Sequence, residues 1–422
     1  MKSMKTVVAM VVVAALAGTA AAITWDGGGA PDMSWNTDAN WNPDGQPTAA
    51  DSVDLGDVVT GSTSGNPITI DAAATCAYFE LTYSKSNYLD INANFAVVGD
   101  LVLGGKDGHA WGATHDAGTV SCDNFNLSAR QSVGDYDMNG GTLTVTNKLA
   151  MGRGDGGSDV NFNQSAGTTV TAGSMEWGSS VYTGGSMKYN MTGGSLTCSG
   201  NANLAWKAAG CEFNQSGGTA SFGSLDIGAA TNDPGVGTAT LSDSADTSVT
   251  GTVEIGEQNG EGTGTLVLDG SKSSGSDLTV GGDFNVREQG TLKAIIDQDA
   301  LDDWDANMRK IDIDGNVLFE ANVGDSGLAA ALDLSFDDEA TPAAFSWKTI
   351  LTCDGTITDN GLAFAAGVDV YDPGSGDHVG WDFQVVDTTS GELQVRYVPE
   401  PASLAVLGLG GVGLLIRRRR AA

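Results

Sequence analysis

The chain is poor in proline, cysteine, histidine and basic side chains. Its 422 residues include 9 Pro, 5 Cys and 3 His, and 20 Lys and Arg stand against 53 Asp and Glu, for a formal net charge of −33. A surface this acidic repels phosphate backbones, so nucleic acid is not expected as a partner. Charged residues make up only 17% while Gly contributes 60 residues, a balance that favours an all-β protein with many tight turns over long helices or disorder.

The cysteines are odd in number and form no C-x-x-C pair. No His stands at ligand spacing, and a chain of this length builds its own core, so neither a zinc site nor a disulfide framework is indicated. We predict buried thiols that pack as small hydrophobic side chains, with one bridge, Cys198 to Cys211, left open. The five are Cys76, Cys122, Cys198, Cys211 and Cys353.

The N-terminal residues have the order of a signal peptide. Lys2 and Lys5 precede an apolar run, and small residues, including Ala20 and Ala22, follow it. We predict cleavage by signal peptidase after Ala22, with loss of residues 1–22. The alternative, a membrane-spanning helix, is disfavoured because about 12 apolar residues fall short of the roughly 20 needed to cross the hydrocarbon core.

The C-terminal residues combine an extended motif, an apolar segment and a cationic end. Pro399, Glu400 and Pro401 keep the backbone extended, since neither proline joins a helix or a central strand. Residues 402–416 are apolar and uncharged, which predicts a short transmembrane helix of about 22 Å. The arginines that follow would hold the cytoplasmic side of the membrane. They are Arg417, Arg418, Arg419 and Arg420.

In this combination and order, residues 398–422 closely resemble the PEP-CTERM family of exported bacterial proteins. The resemblance implies recognition by an exosortase, a membrane-embedded cysteine transpeptidase-like enzyme. It further implies cleavage near Pro399-Glu400-Pro401, transient residence in the inner membrane, and transfer to the cell surface or an extracellular polysaccharide matrix. It concerns delivery alone and leaves the role of the remaining chain open.

Between the two ends a heptapeptide recurs. Its aromatic position is occupied by Tyr136, Phe162, Tyr189 and Phe213, which are 26, 27 and 24 residues apart. A period of this length is typical of stacked repeats that bury their apolar sides against one another. We place degenerate copies at Leu241 and Leu268, and a diverged copy of a second marker near Trp206. That marker, an apolar residue before Gly, occurs at Met151-Gly152, Trp177-Gly178, Ile227-Gly228, Ile255-Gly256 and Val280-Gly281.

Within each repeat, short alternating stretches such as Thr142–Val145 lie between Gly-rich turns, as expected of strands. We therefore predict a right-handed parallel β-helix, or β-solenoid, over residues 96–295. Rungs about 4.8 Å apart would stack the four aromatic side chains and place the asparagines that follow them in hydrogen-bonded ladders. The paired glycines would supply the positive φ of a sharp corner.

The flanking residues differ from the repeats. Residues 23–95 are predicted to form a capping β segment, whose tryptophan-rich opening resembles the start of autotransporter-like solenoid passengers. Residues 296–397 are predicted to form closing rungs and a small β-rich cap, with a short helix over 297–310. The tryptophans of the opening are Trp25, Trp35 and Trp41.

No catalytic or cofactor motif emerges from the sequence, and no cofactor is predicted. His109, His115 and His378 stand in no metal or triad motif, and we place the first two in a solvent-exposed loop. Residues 312–316 begin like a calcium loop, but Val323 stands where the twelfth position requires Glu. A metal site is therefore not predicted.

We expect an exported structural or adhesive protein that is not an enzyme. One alternative is a β-helical polysaccharide lyase or glycosidase, since such enzymes gather carboxylates or a base on one face. The second alternative is a glycan-binding module that stacks sugars on Trp25, Trp35, Trp41 or Trp381. Candidate catalytic residues for the enzyme are Arg153, Asp155 and Asp159 in one loop, or Asp226 and Glu254 on similar rungs.

Overall fold

A computed structural model gives the structure of the protein. The residues it describes are 22–55, 62–81, 87–104, 109–127, 133–152, 158–178, 185–205, 210–228, 235–256, 262–269, 278–296, 310–320, 330–336, 347–365, 368, 380–386 and 391–398.

The described residues form an all-β solenoid with one 3₁₀ turn, Asp38–Asn40. Its first sheet, here called sheet I, contains 12 strands that pair in parallel with the strands of the preceding and following turns. The strands of sheet I are Ile68–Ile70, Asn87–Ile91, Ala110–His115, Val133–Met138, Ser158–Gln164, Gly185–Met191, Cys211–Gln215, Val236–Ser242, Thr263–Asp269, Gly290–Ile296, Ala331–Phe336 and Ala363–Phe364.

A second sheet of 22 strands bends around a corner of the coil and supplies the other two faces. Its strands are Ala22–Trp25, Trp41–Asn42, Ser52–Asp54, Ala74–Cys76, Tyr78–Leu81, Phe95–Val97, Asp100–Leu103, Thr119–Leu127, Thr142–Met151, Thr169–Trp177, Ser195–Leu204, Thr219–Ile227, Asp246–Val249, Val253–Ile255, Leu278–Val280, Phe284–Val286, Ile311–Ile313, Val317–Phe319, Lys348–Cys353, Ile357–Asp359, Gly380–Val386 and Gly391–Val398.

One turn of the coil runs from sheet I through both faces of the second sheet. Ala110–His115 leads through a short turn into Thr119–Leu127, and the next turn begins at Val133–Met138, directly beside Ala110–His115. Alternate residues point inward because successive side chains of a strand lie on opposite faces. The inward positions form one continuous hydrophobic core along the coil.

The predicted aromatic ladder is confirmed. Tyr136, Phe162, Tyr189 and Phe213 lie in register on consecutive strands of sheet I, and all four are buried. The ring centroids of successive members are 5.0, 4.5 and 5.8 Å apart. Offset or tilted rings at these distances attract each other beyond the gain from burial alone, so the ladder stabilises the stacking of rungs.

The predicted asparagine ladder is also present, on the outer side of the same strands. Asn163 donates to Asp137 Oδ1 at 2.7 Å, Asn190 donates to Asn163 Oδ1 at 2.9 Å, and Asn214 donates to Asn190 Oδ1 at 3.1 Å. The side-chain amides of Asn163 and Asn190, which lie in the middle of the ladder, therefore each donate to the preceding rung and accept from the next.

The corners need left-handed backbone. At Gly194, φ is 78°, and a Cβ atom there would lie 2.5 Å from the Thr168 carbonyl oxygen, so glycine is required on both counts. A second corner uses Gly178 at φ 69° and Gly228 at φ 81°, but the turn between them places Ala205 there at φ 65°. This alanine marks the diverged copy that we predicted near Trp206.

Two repeat assignments from the sequence are wrong in register. Ala239 and Leu266, instead of Leu241 and Leu268, are aligned with Phe213. In the second marker, Ile255 is aligned with Val286, whereas Val280 pairs with Val249 on a different face of the coil.

Parallel pairing continues beyond residues 96–295. It begins with Ala22–Trp25 beside Ser52–Asp54 and extends to Ala331–Phe336 beside Ala363–Phe364. At the far end, Gly391–Val398 pairs antiparallel with both Gly380–Val386 and Lys348–Cys353. The predicted helix over 297–310 lies outside the described residues, apart from Lys310.

The tryptophan-rich opening covers the first end of the core. The Trp35 ring lies 4.6 Å from that of Trp41 and 5.2 Å from that of Phe95, and Trp25 packs edge-on against Trp41 at 5.0 Å. The Trp41 indole N–H donates to the Trp35 carbonyl at 2.8 Å, which satisfies its polar atom. These contacts exclude water from the terminal rung.

Candidate functional site

A groove crosses the outer face of sheet I near its beginning and encloses a volume of about 430 Å³. Its floor is the strand Ala110–His115, whose outward side chains are small: Ala110, Gly112 and Thr114. Larger side chains on the two neighbouring rungs form the walls. They are Tyr88 and Asp90 on one side and Val133, Asp135 and Asp137 on the other.

Tyr88 supplies the aromatic surface of this groove. Its ring lies over Gly112, where a Cβ atom would come within 2.8 Å of the Tyr88 Cδ1 atom. Glycine at this position therefore allows the ring to lie down against the sheet. The ring is half-buried, which leaves part of it available to a ligand.

Four carboxylates line the same groove, and three of them are oriented by neighbours. Asp135 accepts from Asn161 and Asp137 accepts from Asn163, both at 2.7 Å, while Asp116 accepts from Asn139 at 2.9 Å. Each bond fixes the orientation of its carboxylate and uses one lone pair, and the remaining lone pairs point away from that donor.

Asp90 differs from the other three carboxylates. Its Oδ1 atom is buried without a hydrogen-bond partner among the described residues, and Oδ2 accepts only a long bond of 3.3 Å from Asn92. Burial raises the pKa of Asp90, and the charges of Asp116 and Asp71 add to that effect, while the bond from Asn92 opposes it. A ligand that donates to Asp90 would relieve this unfavourable environment.

The arrangement suits a polyhydroxylated or amine-bearing ligand. An aromatic ring packs against the apolar face of a sugar, and carboxylates accept from hydroxyl or ammonium groups. An acidic sugar would be repelled by the same carboxylates. The volume lies within the range of small-molecule sites in proteins.

Of the two candidate catalytic sets, the structure brings together the pair Asp226 and Glu254, and in the part of the chain that it describes Asp159 lies apart from that pair. Arg153 and Asp155 lie outside that part. Asp159 is exposed on sheet I and accepts the backbone N–H of Ser186 at 3.0 Å. Asp226 and Glu254 are neighbours in register on the second sheet, on a different face of the coil from Asp159.

Glu254 belongs to an ion-pair network. Arg287 contacts Glu254 at 2.8 Å and Glu320 at 2.5 Å, and so links three successive rungs. A carboxylate held in this way neutralises a partly buried cation, which is a structural role.

The expectation of a solvent-exposed loop for His115 is wrong. His115 is the last residue of the strand Ala110–His115 and is fully buried. Its Nδ1 atom lies 3.1 Å from the Tyr136 hydroxyl, and its Nε2 atom lies 3.3 Å from the Gly118 carbonyl oxygen. Burial lowers the pKa of His115, so the imidazole is held neutral. His109 directly precedes the strand, and His378 is not among the described residues.

The tryptophans proposed for sugar stacking are buried. Trp25, Trp35 and Trp41 are at most 1% exposed, so they present no face to a glycan. Trp381 is 3% exposed and is stacked on Phe336 with 4.7 Å between ring centroids. Any glycan recognition on the described surface therefore has to use other residues.

The five cysteines are buried and free, as predicted for packed thiols. Cys211 contacts the Met187 sulfur at 3.8 Å, and Cys198 approaches the Asn201 carbonyl oxygen at 3.5 Å, so the bridge left open between them is not formed. Burial raises the pKa of Cys211 to about 12 and that of Cys198 to about 11. These thiols are unreactive at neutral pH.

The described residues contain neither a cluster of metal ligands nor a membrane-spanning helix. Within the described ranges, no three or more His, Cys, Asp or Glu side chains are grouped so as to hold a metal ion. The calcium-like residue Asp312 lies on a strand and accepts from the Thr352 hydroxyl at 2.6 Å. No helix among the described residues has the length and apolar character needed to cross a membrane.

The solenoid reaches the sorting signal directly. Its last strand, Gly391–Val398, ends one residue before Pro399. The fold therefore defines an all-β solenoid protein, with the groove on sheet I as its candidate binding site.

The chain carries a PEP-CTERM protein-sorting motif, because residues 398–420 match the model of that motif. This motif is a sorting signal recognised by an exosortase, and it indicates an exported, membrane-anchored precursor. No curated protein matches the chain.

The predicted targeting residues fall at or beyond the limits of the described chain. Pro399, Glu400, Pro401 and Ala20 lie outside it, as do the four arginines Arg417, Arg418, Arg419 and Arg420. Ala22 is the first described residue and pairs with Ser52. Cleavage after Ala22 therefore remains a prediction, and it would leave Ile23 paired with Val53.

Sequence reasoning missed the groove. Its signal was the alternation of Ala110, Gly112 and Thr114 with larger inward residues, between rungs that carry Tyr88 and Asp135 at the corresponding outward position. Recognising it required the register of these three rungs, and the first two of them precede the first heptapeptide copy, which begins at Tyr136.

Proposed function

We propose that this protein is a non-enzymatic structural or adhesive component of the cell surface or of an extracellular polysaccharide matrix. The observation that carries the proposal is the direct continuity of solenoid and sorting signal, since Val398 is both the last residue of the final strand and the first residue of the matched motif. Delivery to the surface thus exposes the whole coil. A stacked coil offers long regular faces for lateral contact without requiring a deep pocket.

The proposal includes the steps of delivery. Signal peptidase removes residues 1–22, residues 402–416 hold the precursor in the membrane, and the arginines Arg417–Arg420 stay on the cytoplasmic side. An exosortase then cuts near Pro399-Glu400-Pro401. The coil itself is right-handed, following the general preference of parallel crossover connections.

Lateral bonds between rungs support a mechanical role. Lys188 pairs with Glu212 and Lys293 pairs with Asp333, each at 3.0 Å across neighbouring strands of sheet I. Individually such half-exposed pairs contribute little. Together with the asparagine ladder, they couple the rungs from Val133–Met138 to Cys211–Gln215, and the rung Gly290–Ile296 to Ala331–Phe336, along the outside of the coil.

Glycan binding at the groove is the second candidate function, favoured by the placement of Tyr88 over Gly112 beside Asp90. The ligand class is a neutral or amino sugar polymer, because the groove combines one aromatic face with carboxylates. Such binding would anchor the coil to matrix polysaccharide without chemical turnover.

The full chain, incubated with a panel of neutral, amino and acidic polysaccharides, tests both candidates. We expect no release of reducing ends or unsaturated products from any member. We expect retention on neutral or amino polymers to fall about tenfold in Tyr88→Ala, the loss of one central aromatic contact. Tyr78→Ala is the matched control, because Tyr78 lies on the second sheet, bonded to Glu80, and should leave retention unchanged.

The outcomes separate the classes. Turnover that disappears in Asp159→Asn or Asp155→Asn would replace the structural proposal with the enzyme alternative. Equal retention of Tyr88→Ala and the unaltered chain would remove the groove as a glycan site but leave the structural role intact.

A further inference from the structure

One face of the second sheet carries two columns of hydroxyl groups in register. Five consecutive rungs, from Thr119 to Ser221, share a three-residue pattern. An inward apolar residue stands between two outward residues, and both outward residues are Thr or Ser. We call these ten side chains the hydroxyl face. The first column is Thr119, Thr142, Thr169, Ser195 and Thr219, and the second is Ser121, Thr144, Thr171, Thr197 and Ser221.

The strand geometry makes the hydroxyl face a two-dimensional lattice. Rungs repeat about every 4.8 Å along the coil, and alternate residues of one strand repeat about every 6.6 Å across it. The apolar residue between the two columns points inward, as Leu143 and Val170 do, so the backbone holds both columns in one plane. The second column continues with Ser248 and Thr279 on the following rungs.

The composition of this face is not explained by strand propensity alone. The chain has 53 acidic residues, yet none of the ten positions is charged. On the same rungs, sheet I presents Lys188 and Glu212, and the remaining face presents Lys148 and Glu176. Threonine is favoured in strands in general, and serine is not, so strand propensity does not account for both residue types on this face alone. All ten outward positions of this face are threonine or serine, which points to a surface that has to be neutral, flat and hydroxylated.

Among the described residues, only short turns lead into the hydroxyl face. The turns that lead into it, residues 139–141, 165–168, 192–194 and 216–218, are three or four residues long. Its strands, such as Thr142–Met151, run on through the next corner without leaving the sheet. All ten side chains are exposed or half-buried.

We propose that the hydroxyl face binds ordered water at the surface of ice. Ser195 donates to Thr169 Oγ1 at 3.2 Å, and Thr171 makes a long bond of 3.5 Å to the Leu143 carbonyl oxygen. These bonds orient the hydroxyls and leave each with acceptor capacity, so a rigid grid of them holds first-shell waters at fixed positions. The two repeats are on the scale of the oxygen repeats in hexagonal ice. The face lacks the charges that would orient water differently, and it lacks the aromatic rings with which a protein stacks on sugars. This inference does not depend on the groove of sheet I.

Ice-affinity partitioning of the full chain tests the proposal, with the fraction of protein taken into slowly growing ice as the readout. We expect clear enrichment in ice for the unaltered chain and a decrease of about tenfold for Thr171→Lys, which puts a charge at the centre of a flat interface. Thr171→Val, which keeps the shape and removes only the hydroxyl, should also lower the fraction. The matched control is Thr238→Lys, an outward threonine on sheet I, which should partition like the unaltered chain.

Far-UV circular dichroism and thermal unfolding establish that each variant is folded. Exclusion of the unaltered chain from ice would overturn the proposal, as would an equal loss in Thr171→Lys and Thr238→Lys. Retention on crystalline cellulose that is lost in Thr171→Lys, without enrichment in ice, would assign the face to a polysaccharide surface and likewise overturn it.

Discussion

The rings of Phe162 and Tyr189 lie parallel on neighbouring rungs, with 4.5 Å between centroids and 7° between planes. Phe162 also contacts Tyr136 on its other side at 5.0 Å, so it is one of the two inner members of the ladder. Phe162 and both of its neighbours are fully buried, so deletion of its ring would leave an apolar cavity.

Phe162→Ala should therefore lower the free energy of unfolding by about 3–5 kcal/mol, the usual cost of deleting a buried ring. Val133→Ala, at a side chain that is 49% exposed on the same sheet, should change it by less than about 0.5 kcal/mol. Equilibrium denaturation in urea measures both. Similar small losses in the two variants would contradict a ladder that supports the coil.

Asn190 needs both its side-chain N–H and its side-chain carbonyl oxygen, because the N–H donates to Asn163 and the oxygen accepts from Asn214. The substitution Asn190→Asp places a carboxylate against the side-chain carbonyl oxygen of Asn163. It should destabilise the fold by about 1–2 kcal/mol at pH 7. The folded-state pKa of the introduced carboxyl should be raised, because only its protonated form donates. The loss should then vanish below the unfolded-state pKa of about 4 and develop as pH rises through the folded-state value.

The control for the asparagine ladder is Asn94→Asp. Among the described residues, the Asn94 side chain bonds through its carbonyl oxygen, which accepts the Thr119 N–H at 2.9 Å, so a carboxylate keeps the bond. Urea unfolding of both variants at pH 3 and pH 7 makes the comparison. A loss in Asn190→Asp that is the same at both pH values would argue against the ladder geometry.

Ala205 holds a left-handed conformation that glycine occupies in the neighbouring turns. Relief of about 1–2 kcal/mol of backbone strain in Ala205→Gly exceeds the roughly 0.8 kcal/mol lost with a buried methyl group. We expect a net stabilisation of up to about 1 kcal/mol, visible as a higher melting temperature. Ala202→Gly, at a buried strand position in the same turn, should instead destabilise by about 1–2 kcal/mol. A lower melting temperature for Ala205→Gly would show that the methyl contacts dominate.

His115 gives the fold a dependence on pH. Its folded-state pKa lies below the ordinary value of 6.5 because of burial. The unfolded chain thus binds a proton first as pH falls, and the contribution of His115 to stability, present in full above about pH 6.5, is lost toward its folded-state pKa. Melting temperatures measured between pH 5 and 8 should fall on the acid side, and His115→Gln should flatten that part of the curve. An identical acid decline in His115→Gln would assign it to other groups.

The regular part of the coil could be predicted because residue types repeat with the period. Tyr136, Phe162, Tyr189 and Phe213 share both chemistry and spacing, so alignment and stacking follow together. The predicted alignment was wrong at Leu241, because a shift of two residues keeps the same side of a strand inward and preserves the hydrophobic pattern. Only the pairing of backbone groups distinguishes Leu241 from Ala239.

Single functional positions were harder to predict than the ladder. The irregular sequence of residues 106–118 predicts a loop for His115, although Trp111, Ala113 and His115 alternate as inward residues of a strand do. The groove depends on Tyr88 lying over Gly112, a contact between rungs 24 residues apart in sequence. The tryptophans suggested sugar stacking, but chemistry alone does not reveal burial, and Trp35 and Trp41 pack against each other.

Mass spectrometry of the cell-surface fraction tests the central claim, delivery of the solenoid to the surface through its C-terminal motif, most directly. Cells that contain an exosortase should yield a chain beginning at Ile23 and ending near Pro399-Glu400-Pro401, without the terminal arginines. The same cells carrying Glu400→Ala should accumulate the uncut tail in the membrane fraction, while Glu392→Ala, on the last strand, should be processed normally. Recovery of an intact Arg420 end from the surface fraction of unaltered cells would contradict the account.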